Sequence, residues 1–125
     1  MKQTIYLAGP FLGCNYDEIH SWRNVVKLAL AEKYILLDPS DRLEKGMSDK
    51  EIVEGDLYDI QNSDILLVNH SMPSDGTAME IFSAWQDGKE IIVITNYHTV
   101  SPWIKYHTTK LFRNLNEALD YLVEK

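Results

Sequence analysis

The chain has 125 residues, 45% of them hydrophobic and 25% charged, which suits one compact domain (1–125) and leaves little room for a second. A formal net charge of -7 argues against a nucleic-acid or membrane surface, both of which repel an acidic face. A small anion stays possible, because a few local N–H groups or one arginine can hold a phosphate.

The single cysteine, Cys14, excludes an internal disulfide framework, and the four histidines (His20, His70, His98, His107) have no zinc-ligand spacing. No metal and no cofactor is expected. The N-terminal residues have no signal-peptide profile, and no apolar run approaches the roughly 20 residues that span a bilayer. The expectation is a soluble, cytoplasmic domain.

In chain order, Thr4 to Ala8 is predicted as a short buried strand stopped by Gly9-Pro10. A helix is predicted over Tyr16 to Glu32, with Asn15 as its N-cap, Asp17 and Glu18 at its positive end, and an apolar stripe of Ile19, Trp22, Val26, Leu28 and Leu30. Tyr34 to Leu37 forms a second strand, closed by Asp38-Pro39-Ser40, and the polar stretch Asp41 to Met47 reads as a mobile loop. Ser48-Asp49-Lys50-Glu51 has the capping-box pattern and opens a helix to about Asn62, with Ile52, Leu57 and Ile60 pointing inward.

The continuous apolar run Ile65 to Val68 fits a central parallel strand buried on both faces. Thr77 to Asp87 is predicted helical with Gly88 just past its end, and Ile91 to Ile94 is the next buried strand. A loop and short helix over Val100 to Thr108 precede a small strand at Leu111-Phe112, and Asn114 caps a last helix with Leu115, Ala118, Leu119 and Leu122 inward. This alternation predicts an α/β fold: a doubly wound, flavodoxin-like or Rossmann-like domain with about five parallel strands and helices on both faces. Such sheets bind ligands at the carboxyl ends of their strands, which directs attention to the loops after Ala8, Leu37, Val68 and Thr95.

The phosphate-loop lysine and the dinucleotide-binding glycine spacing are both absent after the first strand, which removes the main support for kinase and NAD readings. Read alone, Gly9-Pro10 turns the chain. In the second helix Asp56 falls beside the inward residues, where an unpaired carboxylate is costly, whereas Asp59 and Glu54 belong to the solvated face and Asp64 to a structural turn. In Ser74-Asp75-Gly76-Thr77-Ala78-Met79-Glu80, Glu80 lies about one turn into a helix and can reach toward the strand ends. Thr77 and Glu80 also satisfy capping-box spacing, so this segment alone leaves two readings and favours the cap.

Three blocks taken together change that balance: Tyr6-Leu7-Ala8-Gly9-Pro10-Phe11, Asp56-Leu57 followed by Ser63-Asp64, and Gly76-Thr77-Ala78-Met79-Glu80. In this order, and with Ala84 and Gly88-Lys89 after them, they resemble the nucleoside 2-deoxyribosyltransferase superfamily, which includes transferases of deoxynucleosides and N-hydrolases of nucleoside 5'-monophosphates. The resemblance implies cleavage of an N-glycosidic bond, with Glu80 attacking the anomeric carbon to form a glycosyl ester, Asp56 near the leaving base, and Tyr6 orienting Glu80. A second base as acceptor makes a transferase, the first expectation here; water makes a hydrolase, the alternative.

Ser74 stands where the transferases typically carry an Asp and resembles the hydrolases there. Val100-Ser101-Pro102-Trp103 resembles a hydrolase segment whose serine reaches the phosphate site of a neighbouring subunit. The resemblance therefore implies Ser74 and Ser101 as phosphate ligands, Gly9, Pro10, Phe11 and Gly76 as further substrate contacts, and a homo-oligomer. Phe11 and Tyr16 are the base-stacking candidates. Arg23, the nearest basic residue to the first loop, reads either as a solvated salt-bridge partner on a helix surface or, equally, as a packing pair with Trp22. A reading from another class is a non-catalytic nucleotide-binding module on the same fold.

Overall fold

In a computed structural model that describes residues 1–42 and 46–125, five parallel strands form one sheet: β1 (Thr4–Ala8), β2 (Ile35–Leu37), β3 (Ile65–Asn69), β4 (Glu90–Ile94) and β5 (Lys110–Phe112). Their order is β2-β1-β3-β4-β5, the flavodoxin-like arrangement, with the direction of winding reversing between β1 and β3. Five helices connect them: α1 (Tyr16–Leu30), α2 (Asp49–Gln61), α3 (Asp75–Gln86), α4 (Pro102–His107) and α5 (Leu115–Glu124). A 3-10 turn, Pro39–Arg42, occupies the start of the expected loop at 41–47, and residues 43–45 of that loop lie outside the described residues.

Strand alternation sorts the core into two halves. Ile5, Leu7, Ile65, Leu67, Ile92 and Ile94 face α1 and α5, meeting Val26, Leu30, Ala118 and Leu122. Tyr6, Ala8, Leu66, Val68, Ile91 and Val93 face the opposite way, toward Ile60, Ile81, Ala84 and Ile104 of α2, α3 and α4. A tyrosine in the second set is the exception among aliphatics, and it is fully buried.

The local signals act as expected at several helix starts. Asn15 with Glu18 and Ser48 with Glu51 both form reciprocal capping boxes, and the Asn114 side chain accepts the Glu117 N–H. Gly88 takes φ +72° just after α3, a left-handed conformation suited to glycine. Four expectations are corrected. Leu28 of the expected stripe is exposed, and Arg23 takes the inward position at 0% exposure. Ile52 and Leu57 are partly exposed rather than inward, on the lining of a cleft. Asp59 is ion-paired to Arg42 rather than simply solvated. Asp64 accepts the N–H of Thr4 at 2.9 Å, so it joins the starts of β1 and β3 instead of closing a local turn.

Candidate active site

A cleft of about 820 Å³ opens at the carboxyl end of β1, beside the point where the winding reverses, with α2 and α3 packed on one face of the sheet. Gly9 and Phe11 from the first loop, Asp56 and Leu57 from α2, and Ser74, Gly76 and Glu80 from the start of α3 all line it. Segments far apart in sequence are thus brought to one wall by the topology. Pro10 is buried behind this wall, and Tyr16 and Ser101 do not line it. Ser101 is exposed, and its hydroxyl accepts the Trp103 N–H at 3.2 Å as the cap of α4.

Glu80 does not cap its helix. Ser74 does, accepting the Thr77 N–H at 3.3 Å, which leaves Glu80 a turn and a half inside α3. From there its carboxylate accepts a hydrogen bond from the Tyr6 hydroxyl on β1 at 2.5 Å. Tyr6 is the aromatic in the α2/α3 half of the core, and its buried ring fixes where the hydroxyl stands. Burial pushes the Glu80 carboxyl up to about 7; the Tyr6 hydrogen bond and the nearby Arg23 and Arg42 charges oppose the rise, and Asp56 adds to it. The Tyr6 hydroxyl is itself raised far above its ordinary value, by burial first and then by Glu80, so it remains a donor.

Asp56 faces the same cleft from α2. Burial raises its carboxyl, while a hydrogen bond and the charge of Arg42 hold it down. Arg42 Nη2 lies 2.9 Å from Asp56 Oδ1 and 2.8 Å from Asp59 Oδ2. The cleft thus holds two carboxyl groups raised by burial, one beside a phenol and one beside a guanidinium.

Arg23 has a different task from that of a surface cation. Its guanidinium donates to the carbonyls of Ile19 (2.6 Å), Leu7 (3.3 Å) and Gly9 (3.5 Å), and its Nε is 3.2 Å from Asp38 Oδ1. The Phe11 and Trp22 rings each lie 4.6 Å from it. It ties the end of β1 to α1 and presents Phe11 to the cleft. Gly9 is needed in this packing as well as at the cleft, since a Cβ there would come within 2.9 Å of Trp22 Cζ2.

On the far side, Phe82, Trp103 and His107 form an aromatic wall, with the His107 ring edge-on to Trp85 at 4.7 Å and bonded to the Trp103 carbonyl at 2.6 Å. These contacts make His107 a packing residue of the cleft wall. Arg42 is the site residue that sequence reading missed. It lies in a polar run without periodicity, and only the fold brings it to Asp56.

A match to the family described as Nucleoside 2-deoxyribosyltransferase covers residues 5–117. The chain belongs to the nucleoside 2-deoxyribosyltransferase family. Membership makes it an enzyme of N-glycosyl transfer or hydrolysis on nucleosides or nucleotides. A relative from Thermofilum pendens, whose name proposes a 2'-deoxynucleoside 5'-phosphate N-hydrolase, is 31% identical over 94% of this chain and 91% of its own length. The 2-deoxyribosyltransferase of Bacillus psychrosaccharolyticus superposes with a TM-score of 0.77 at 21% identity, covering 94% of this chain and 91% of that one. A CMP N-glycosidase of Clostridium botulinum superposes with a TM-score of 0.69 at 20% identity, over 98% and 100% of the two chains. These two likenesses confirm the deoxyribosyltransferase fold in this family member. No described helix is long and apolar enough to cross a membrane.

Proposed function

We propose that this family member hydrolyses the N-glycosidic bond of a 2'-deoxynucleoside 5'-monophosphate through a glycosyl ester on Glu80. The observation that carries the reading is the Glu80 carboxylate held on the Tyr6 hydroxyl at the wall of a largely apolar cleft, with Asp56 also on the lining. In the first step a Glu80 oxygen bonds to C1' as the C1'–N bond breaks, and the departing base takes the proton carried by Asp56. In the second, water adds to C1', the ester bond breaks, the Glu80 carboxylate is regenerated, and the proton of the water returns to Asp56. The products are free base and the sugar 5-phosphate.

Hydrolysis of a monophosphate is favoured over transfer by the 31%-identical relative and by Ser74 and Gly76 on the cleft wall at the positive end of α3. The reading carries a homo-oligomer with it, in which Ser101 of one copy approaches the phosphate held by another. Trp103 and Tyr106, 75% and 73% exposed beside Ser101, supply apolar area for such a contact. Transfer of the deoxyribosyl group to a second base is the other reading, favoured by the main cleft's lining, which holds no lysine or arginine among the described residues.

The test is chromatography of free base after incubation with deoxynucleosides and with their 5'-monophosphates, each with and without a second base. Base release from monophosphates alone, without exchange and abolished in Glu80→Ala, is expected. A new deoxynucleoside formed only with the second base would instead establish the transferase. No base from any substrate would remove both and favour a binding module.

A further inference from the structure

Gly55 stands in the middle of α2, a place where glycine is less favourable than any residue except proline. It does not take a positive φ, so no turn requires it. What it faces is Arg42: a Cβ at position 55 would come within 2.7 Å of Arg42 Nη1 and 3.6 Å of its Cζ. The guanidinium lies across the bare stretch of helix that Gly55 leaves and grips Asp56 and Asp59 with one nitrogen. Arg42 and Asp56 also line a second lobe of about 360 Å³, which shares Phe11, Leu12 and Ile52 with the main cleft.

We propose that Arg42 is a positioning residue that fixes Asp56 toward the scissile bond, and that Gly55 is the gap in α2 that lets it do so. The proposal rests on the reading of Asp56 as the proton carrier for the leaving base. A lone Asp on a helix can swing between rotamers, whereas one held by a charge-assisted hydrogen bond from a neighbouring segment keeps one direction. The charged and titratable groups that act on Asp56 are Arg42 from the 3-10 turn, Asp59 on its own helix, Tyr6 from β1 and, through mutual repulsion, Glu80 from α3. Arg42 is the cation among them that lowers Asp56. Without it, the rise from burial and the two carboxylates loses its main opposition, the Tyr6 hydrogen bond remaining, and Asp56 keeps its proton to higher pH.

The atom that an alanine at 55 would displace is the far end of a flexible side chain, so the helix can accept the substitution by moving Arg42 aside. This separates a positioning role from a structural one, because Gly55→Ala should damage the site while favouring the helix. The experiment compares the full chain with Arg42→Met, Arg42→Lys, Gly55→Ala and Glu80→Ala. It measures kcat and KM for base release, the thermal midpoint, and the titration of the Asp56 carboxyl by carbon NMR.

Arg42→Met is expected to lower kcat by about tenfold or more with a smaller change in KM, and to raise the Asp56 titration midpoint. Arg42→Lys should recover part of both. Gly55→Ala should follow Arg42→Met in kcat and in the Asp56 titration, with a thermal midpoint at or above the parent's. An active parent with an inactive Glu80→Ala, but parent-like kcat and Asp56 titration in Arg42→Met and Gly55→Ala, would overturn the proposal and leave the proposed function standing. A parent that releases no base would overturn the proposed function. The Asp56 titration then decides the pairing by itself: a raised midpoint in both variants upholds it, and an unchanged one overturns it.

Discussion

In the proposed reaction the chemistry turns on Glu80, and the surroundings of this side chain pull it in two directions. Burial raises the carboxyl to about 7, while the Tyr6 hydrogen bond works to keep it ionised. A nucleophile must be ionised, so kcat/KM should rise with pH through about 7 as the free enzyme loses the Glu80 proton. Tyr6→Phe preserves the buried ring and removes the donor. The ascending limb of the pH profile should then move to higher pH, and the rate at pH 7 should fall by about tenfold to a hundredfold, the range for losing a hydrogen bond to a charged group. An unmoved limb would take Tyr6 out of the mechanism. The blocks containing Tyr6, Asp56 and Glu80 were legible in sequence, and the resemblance implied Tyr6 beside Glu80, but the link from Arg42 to Asp56 was not legible. From local spacing Glu80 satisfied a capping box with Thr77, and the fold excludes that reading because Ser74 takes the cap.

At the scale of elements, the parts of the fold read correctly are those specified by short-range physics. The apolar runs Ile65 to Val68 and Ile91 to Ile94 are central strands because a parallel sheet covered on both faces needs no alternation. The caps at Asn15, Ser48 and Asn114 hold because each side chain reaches an N–H three residues on. The misreadings share one cause. Leu28, Ile52 and Leu57 were assigned by periodicity, and polarity leaves Arg23 open between surface and packing, whereas the burial of all four is decided by what packs against each helix. Arg23 is inward because the carbonyls of Leu7 and Gly9 and the Asp38 carboxylate await it there. Ile52 and Leu57 are partly exposed because they line the cleft instead of joining the core. Arg42 was invisible for a similar reason, since its contact with Asp56 crosses from one segment to another.

For the molecule as a whole, the site is assembled at a cost in stability that has a definite sign with pH. The folded protein binds the Glu80 proton more tightly than the unfolded chain, whose value lies near 4.5. The stabilising contribution of that proton is complete below about 4.5 and is lost as pH rises through about 7. Glu80→Gln, which stays neutral and can still accept from Tyr6, should therefore be more stable than the parent at pH 8, by on the order of 2–3 kcal/mol, and close to it at pH 4. Denaturant unfolding at the two pH values checks this, and an equal difference at both would contradict it. The central claim is that Glu80 forms a covalent bond to the sugar, and the most direct measurement is mass spectrometry of the protein acid-quenched during turnover. The account predicts a deoxyribosyl phosphate adduct on the peptide that carries Glu80, absent in Glu80→Ala. Base release at the parent rate in Glu80→Ala, or an adduct on a different residue, would contradict it.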